Sequence, residues 1–142
     1  MTSIFDTPLY AYARHADQET KTPRRHPVVI IGAGPVGLAL AVDLAQKGVE
    51  TLVLDDNDKV SLGSRAICFS KRTLEIADRM SFGQTLVDKG VQWNLGKVFF
   101  NDRKVYEFDL QAEDGHRRPA FINLQQYYFE IAVVDSIRAL QQ

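Results

Sequence analysis

The chain has 142 residues, a length that suits one domain with one hydrophobic core. Its formal net charge of −1, with 25% charged and 45% hydrophobic residues, is usual for a globular protein and argues against a nucleic-acid partner. A single cysteine excludes an internal disulfide, so we expect a cytoplasmic protein in which Cys68 packs as a small apolar residue.

Residues 1–27 are polar, contain three prolines and show no sustained hydrophobic period. They are predicted to form an N-terminal arm that is loosely ordered or packed on another part of the chain. The arm has no apolar core of signal-peptide length. His15, His26 and His116 lie far apart in the sequence, so their spacing predicts no metal site.

Residues 28–54 carry the pattern of a strand, a glycine turn, a helix and a second strand. Val28–Ile31 is a short apolar run of the kind that forms a parallel strand covered on both faces. Pro35 falls at the first position of the helix, Gly48 follows its end, and Thr51–Leu54 is the second apolar run. We therefore expect a Rossmann-like βαβ unit in an α/β fold. No membrane span is predicted, because glycine, proline and aspartate interrupt the longest apolar stretch.

The turn between the first strand and the helix reads G-x-G-x-x-G, the spacing that binds the pyrophosphate of a dinucleotide. Gly32 permits the tight turn, Gly34 lets the backbone approach the phosphates, and Gly37 lets the helix pack closely on the strand. Backbone N–H groups and the positive end of the helix then face the phosphates. The predicted phosphate-binding residues are Gly32, Ala33, Gly34, Pro35, Val36 and Gly37.

An acidic residue closes the second strand. Asp55 follows Gly37 at about the 20-residue interval at which a carboxylate accepts hydrogen bonds from the hydroxyls of the adenosine ribose. Asp56 is the alternative. The strand, the helix and the acid strengthen a six-residue motif that is weak alone, but they do not separate FAD from NAD.

The remaining sequence predicts two helices, a hairpin, a strand and a long final helix. Ser70 has the side chain of an N-cap for the first of these helices. The alternation in residues 95–100 and 104–110 predicts an antiparallel hairpin. The other predicted elements are helices at 71–80 and 82–88, a strand at 121–124 and a helix at 126–140. Arg117 and Arg118 lie in a polar loop and are expected to be solvated.

Two downstream segments carry a family resemblance. GSRAICFSKRTLEI (63–76) resembles the G-S-R-A segment of the class A flavoprotein monooxygenases, the single-component aromatic hydroxylases related to p-hydroxybenzoate hydroxylase. NLQQYYFE (123–130) resembles their Q-x-x-x-E segment. Within that family the chain looks most similar to hydroxylases of 3-(3-hydroxyphenyl)propionate and related phenols. The resemblance implies FAD as the cofactor, NAD(P)H as the co-substrate and a small aromatic substrate.

The resemblance also implies roles for individual residues. Arg65, next to Ala66, would contact the FAD pyrophosphate or lie beside the flavin, where a guanidinium offers planar, bidentate donors. Gln126, or its neighbour Gln125, would hydrogen-bond the ribityl chain or the flavin edge. Asp55 stands where the family usually has glutamate. No residue of the chain is predicted to be a catalytic acid or base.

Residues 28–142 are expected to be the N-terminal part of a FAD-binding domain, with the hairpin as the start of the substrate-domain sheet. Two later motifs of the family, a D-G pair and a G-D segment, are expected beyond Gln142, so the fold is expected to be incomplete relative to the family. We therefore expect the FAD-binding portion of an aromatic monooxygenase that is inactive alone. The alternatives are a truncated FAD-binding module without catalytic activity and an NAD-dependent Rossmann dehydrogenase. A homo-oligomer is compatible with the sequence.

Overall fold

The computed structural model describes residues 7–63 and 65–141. The chain divides into two compact units, which are Met1–Arg65 with Gln126–Gln142 (the first unit) and Ala66–Gln125 (the second unit). In chain order the elements are a 3₁₀ helix at Ala16–Glu19, β1 (Val28–Ile31), α1 (Pro35–Gln46), β2 (Thr51–Leu54), β3 (Cys68–Ser70), α2 (Lys71–Arg79), α3 (Gly83–Lys89), β4 (Val91–Trp93), β5 (Leu95–Phe100), β6 (Arg103–Asp109), β7 (Phe121–Asn123) and α4 (Gln126–Leu140).

The first unit contains the predicted βαβ arrangement. Strands β1 and β2 pair in parallel, and Ile31 at the end of β1 lies opposite Leu54 at the end of β2. Helix α1 connects them and packs against α4. The apolar side chains buried in this unit are Ile30, Leu38, Ala41, Val42, Val60, Phe129, Ala132 and Val133. The α/β fold with a Rossmann-like unit is therefore confirmed.

One face of β1 is not covered by the described residues. Ile30 is buried, whereas Val29 and Ile31 keep 46% and 78% of their surface exposed. The expectation that β1 is covered on both faces is wrong for this chain, because side chains alternate between the two faces of a strand and the helices cover only one of them.

The arm before β1 is packed on the loop that follows β2. Leu9 forms an antiparallel bridge with Lys59, and the backbone N–H of Tyr10 donates to the carbonyl of Asp58 at 2.7 Å. The guanidinium of Arg138, on α4, lies 5.0 Å from the centre of the Tyr10 ring. These contacts favour the packed alternative of the two that the sequence left open for the arm.

The second unit is built around a small antiparallel sheet with the strand order β3, β7, β4. The hydroxyl oxygen of Ser70 accepts from the N–H of Thr73 and caps α2, as predicted. The buried apolar side chains of the second unit are Phe69, Leu74, Ala77, Met80, Phe82, Leu86, Val87, Ala120, Ile122 and Leu124. Cys68, by contrast, is exposed on β3, so the expectation that it packs inside is wrong.

The predicted hairpin is formed by β5 and β6. The register shifts between Val98 and Phe99, which marks a bulge, and Asn101 adopts a positive φ of 50° in the turn. Many of its apolar side chains are exposed, and the largest exposures belong to Phe99, Phe100 and Tyr106.

Arg118 corrects the expectation that the polar loop is solvated throughout. Its side chain is 5% exposed, whereas that of Arg117 is 82% exposed. The guanidinium donates to both carboxylate oxygens of Asp78 and to the amide oxygen of Gln84. These partners compensate the cost of burying the charge, and the hydrogen bond from Arg118 lowers the pKa of Asp78. No local pattern in the sequence indicates this pairing, because Asp78 lies on α2, 40 residues before Arg118.

No helix among the described residues has both the length and the apolar character to cross a membrane.

Candidate dinucleotide-binding site

The glycine turn leaves β1 at the edge of the parallel sheet where β2 also ends. Gly32 has a φ of +100°, a conformation that glycine adopts without strain. Its N–H donates to the carbonyl of Leu54 at 2.7 Å, so the turn starts beside the end of β2. This edge, at the carboxyl ends of parallel strands, is where open α/β sheets bind their ligands.

Gly37 and Gly34 have different surroundings. A Cβ at Gly37 would overlap the carbonyl oxygen of Gly32, so only glycine allows α1 to approach the turn this closely. A Cβ at Gly34 would meet no described atom within 4 Å, so space is open beside the backbone there. The two glycines thus match the roles that the motif requires, close packing at one and room for a ligand at the other.

The N-terminus of α1 fits an anionic group. The helix begins at Pro35 with Gly34 as its N-cap, and among the described residues no side chain caps it. Its first turn contains no acidic residue. The N–H groups at the start of a helix carry a partial positive charge and lack intrahelical partners. A pyrophosphate therefore fits the turn sterically and electrostatically.

The carboxylate of Asp55 reaches back to the turn. Its Oδ2 accepts from the N–H of Ala33 at 2.6 Å, and its Oδ1 accepts from the N–H of Asn57 at 2.9 Å. The hydrogen bond from Ala33 is the main reason that the pKa of Asp55 is lowered. Asp56 is exposed and accepts from the side-chain amide of Asn57. Asp55 is thus the acid that the structure brings to the glycine turn.

Arg65 lies in the same cavity as Asp55. The cavity has a volume of about 320 Å³ and is lined by Ala33, Gly34, Asp55, Asn57, Lys59, Val60, Ser61, Leu62, Arg65 and Glu130. The guanidinium of Arg65 forms no hydrogen bond or ion pair with another described residue. Its charge is therefore available to a ligand in this cavity.

A hydrogen-bonded cluster braces the loop that leads to Arg65. Glu130 is 1% exposed, and its carboxylate accepts from the N–H and the hydroxyl of Ser61 at 2.6 and 2.7 Å. The side-chain amide of Gln126 donates to Glu130 at 2.8 Å and to the Ser61 hydroxyl at 3.2 Å. Sequence reasoning missed Ser61. The four-residue spacing of Gln126 and Glu130 indicates only that these two side chains share one face of a helix, and it does not point to Ser61.

Gln126 and its alternative Gln125 therefore differ in their surroundings. Gln126 is half-buried at the start of α4 and takes part in the cluster with Ser61 and Glu130. Gln125 is exposed, and it belongs to the second unit.

Taken together, the turn, the carboxylate and the cavity form a candidate dinucleotide-binding site of the Rossmann type. The comparisons with known proteins identify its family. Residues 25–140 match the family model described as the FAD binding domain, and the chain belongs to this family. FAD is thus the dinucleotide that the family binds.

Most of the named relatives of the chain are monooxygenases. The chain is 38% identical over 82 residues to a 6-methylpretetramide 4-monooxygenase of Streptomyces rimosus, which covers 58% of this chain and 15% of that protein. It is 39% identical over 81 residues to an uncharacterized aromatic compound monooxygenase of Bacillus subtilis, covering 57% of this chain and 16% of that one. The crystal structure of a p-nitrophenol 4-monooxygenase from Pseudomonas putida matches 81% of this chain and 30% of its own, with 27% identity and a TM-score of 0.72.

The resemblance to the class A flavoprotein monooxygenases is thus confirmed. The chain spans 15–25% of the length of the first curated relatives that it matches. The roles expected for Arg65, Ala66 and Gln126, and the closer likeness to hydroxylases of 3-(3-hydroxyphenyl)propionate, stay predictions.

Proposed function

We propose that the chain supplies the FAD-binding portion of a flavoprotein monooxygenase that hydroxylates a phenolic or other aromatic substrate with NAD(P)H and O₂. The observation that carries this proposal is that Ala33 and Gly34 of the glycine turn line the same cavity as Asp55 and Arg65. Bound FAD supplies the redox chemistry, and the protein binds, orients and shields it. The names of the matched monooxygenases support the reaction class.

The proposed roles follow the path of the cofactor. The backbone of Gly32–Gly37, including Ala33, Pro35 and Val36, holds the pyrophosphate. Asp55, with Asp56 as the alternative, accepts hydrogen bonds from the ribose hydroxyls. The bonds from Ala33 and Asn57 already orient the Asp55 carboxylate. Its Oδ1 accepts from both the N–H and the side-chain amide of Asn57, whereas Oδ2, which accepts from Ala33, has a further lone pair for a ribose hydroxyl.

Arg65, next to Ala66, is proposed to neutralise the pyrophosphate or to lie against the flavin. Gln126 is proposed to hydrogen-bond the ribityl chain or the flavin edge. Its contacts with Ser61 and Glu130 tie it to the loop that leads to Arg65, which supports a position beside the same cavity.

A fluorescence titration of the 142-residue chain with FAD tests the proposal. We expect quenching of flavin fluorescence with a Kd below about 1 μM, equivalent to roughly −8 kcal/mol. Arg65→Ala should weaken this binding by about tenfold or more, because a charge-assisted contact to phosphate is lost. Arg103→Ala, which removes an exposed arginine on β6, is the matched control and should leave the affinity unchanged. An Arg65→Ala variant with unaltered affinity would refute the role given to Arg65.

The two alternatives predict different outcomes of the same titration. A module that lacks too many cofactor contacts would bind FAD weakly or not at all. An NAD-dependent dehydrogenase would bind NADH in preference to FAD and would purify without the flavin absorption band.

The expected partner of the intact protein is a small aromatic substrate, with no nucleic-acid or membrane partner. A cytoplasmic location is proposed because the one cysteine is unpaired and exposed, which suits a reducing compartment.

Self-association is also proposed, and the exposed Phe99 and Phe100 of the hairpin support it. Light scattering of the purified protein at several concentrations tests this last point.

A further inference from the structure

The N-terminal arm brings three metal-ligating side chains together. His15 precedes the 3₁₀ helix, Asp17 lies in it, and His26 lies two residues before β1. One nitrogen from each histidine and one carboxylate oxygen of Asp17 all lie within 4.8 Å of one another. The spacing of the histidines in the sequence predicted no metal site, because it does not reveal that the arm folds back after Glu19.

The Oδ2 atom of Asp17 is the centre of this cluster. It lies 2.6 Å from Nε2 of His26 and 3.4 Å from Nδ1 of His15. In a tetrahedral Zn²⁺ site with bonds of about 2.0–2.1 Å, neighbouring ligand atoms are about 3.3–3.4 Å apart. The distance from Oδ2 of Asp17 to Nδ1 of His15 already matches, and the distance from Oδ2 to Nε2 of His26 has to increase by roughly 0.7 Å. A metal would also replace the hydrogen bond that Nδ1 of His15 accepts from the N–H of Asp17.

The side chains are held in place by contacts outside the cluster. The N–H of Arg24 donates to Oδ1 of Asp17 at 3.2 Å, which leaves Oδ2 turned toward the histidines. The N–H of His15 donates to the side-chain oxygen of Gln18, which also accepts from the Tyr12 hydroxyl. Such supporting hydrogen bonds orient ligands in metal sites.

Burial and charge favour a cation. The side chain of His26 is 8% exposed, that of Asp17 is 20% exposed and that of His15 is 35% exposed, so the cluster is closed on one side and open to solvent at His15. A cation can enter there and keep a water as its fourth ligand. The nearby cations Arg14 and Arg24 are paired with the carboxylates of Glu19 and Glu50, and Arg25, next to His26, is exposed to solvent.

We propose that His15, Asp17 and His26 form a binding site for a divalent transition cation of the Zn²⁺ type, which ties the N-terminal arm to the start of β1. Two imidazoles and a carboxylate are the donor set that such cations prefer, whereas Mg²⁺ and Ca²⁺ prefer oxygen ligands alone. The site is separate from the cavity that contains Asp55 and Arg65, since none of its residues lines that cavity.

Binding of Co²⁺ and Zn²⁺ to the untagged 142-residue chain tests the proposal. We expect visible absorption bands of bound Co²⁺ that saturate at one equivalent and disappear on addition of Zn²⁺. His15→Ala and Asp17→Asn should each weaken binding by more than about tenfold. His116→Ala, in the second unit, is the matched control and should bind as the unaltered chain does. The proposal is overturned if no stoichiometric binding occurs, or if His116→Ala weakens binding as much as His15→Ala.

Thermal unfolding provides a second readout. Zn²⁺ at saturation should raise the unfolding midpoint of the unaltered chain and of His116→Ala, because a cation that binds only the folded arm stabilises it. It should not raise the midpoint of His15→Ala. His26 is the most buried of the three ligands, so far-UV circular dichroism must first show that His26→Ala keeps its fold. If it does not, His15→Ala and Asp17→Asn carry the comparison, because both side chains are more exposed.

Discussion

Glu130 shows how a single buried carboxylate can hold a loop in place. Three donors, two from Ser61 and one from Gln126, converge on its two oxygens. The charge can be buried because all three hydrogen bonds compensate its desolvation. Ser61, which Glu130 holds, lies four residues before Arg65 and lines the same cavity.

Glu130→Gln is expected to destabilise the protein by about 1–3 kcal/mol, because a glutamine amide places a donor against one of these donors. Chemical denaturation followed by circular dichroism measures the change. Glu113→Gln, at an exposed position in the second unit, should change the free energy of unfolding by less than about 0.5 kcal/mol. Equal stability of the two variants would show that the Glu130 cluster contributes little.

The protonation of Asp55 is expected to make the stability of the glycine turn depend on pH. Its pKa lies below the ordinary value of 3.8, chiefly because the Ala33 N–H donates to the carboxylate. A carboxyl group whose pKa is lowered on folding stabilises the fold above its unfolded pKa. That stabilisation is lost as the pH falls through the folded pKa.

We therefore expect the amide resonance of Ala33 to titrate on acidification with a midpoint below 3.8. The transition should vanish in Asp55→Asn and persist in Asp56→Asn. An NMR pH titration measures it, and a midpoint at or above the ordinary value would contradict the contact between Ala33 and Asp55.

At the scale of elements, the approach of α1 to the glycine turn depends on the absence of a side chain at Gly37. Gly37→Ala should destabilise the protein by about 1–3 kcal/mol or more, because the new Cβ overlaps backbone that cannot move alone. Gly34→Ala, with a φ of −76° and open space around the new Cβ, should cost less than about 1 kcal/mol.

The two variants should also separate folding from cofactor binding. Gly34→Ala is expected to keep its stability and to bind FAD more weakly, because the methyl group occupies the space proposed for the pyrophosphate. Thermal unfolding and the FAD titration measure the two effects. If Gly34→Ala bound FAD with full affinity, the pyrophosphate would have to lie elsewhere.

The second unit depends on an ion pair that fastens the loop before β7 to α2. Arg118→Met should destabilise it by about 3–5 kcal/mol, because the mostly buried Asp78 carboxylate loses both hydrogen bonds from Arg118 and is left with the more distant Arg117, at 3.7 Å. Arg103→Met, at an exposed position on β6 of the same unit, is the control and should change the free energy of unfolding by less than about 0.5 kcal/mol; Arg117 is unsuitable because it also lies 3.7 Å from Asp78. A urea titration followed by the fluorescence of Trp93, which lies in the same unit, reports both variants. Similar unfolding midpoints for the two variants would mean that the ion pair of Arg118 with Asp78 does not contribute to the stability of the second unit.

At the scale of the whole molecule, the elements predicted well are those whose signal is local. The strands at Val28–Ile31 and Thr51–Leu54 and the helix at Gln126–Leu140 have the predicted bounds, because apolar periodicity and flanking residues determine them. The three-residue strands β3 and β4 were missed, since they exist only through pairing with β7.

The residues of the candidate site also differ in how well the sequence predicts them. The glycine turn and Asp55 are predicted because each belongs to a motif with a defined spacing. The contact of Ser61 with Glu130 and the burial of Arg118 join residues far apart in the chain, and no local pattern reports such pairs. The convergence of His15 and His26 likewise depends on how the arm folds.

The first unit is interrupted by the second, and this order has a consequence for synthesis on the ribosome. When residues up to Arg65 have emerged, β1, α1 and β2 are present, but the helix that packs on α1 is not. All sixty residues of the second unit must appear before Gln126 does. The second unit is therefore free to fold while the first is still unfinished, and the contact of Glu130 with Ser61, two residues that line the cavity beside the glycine turn, can form only after the whole second unit has been synthesised.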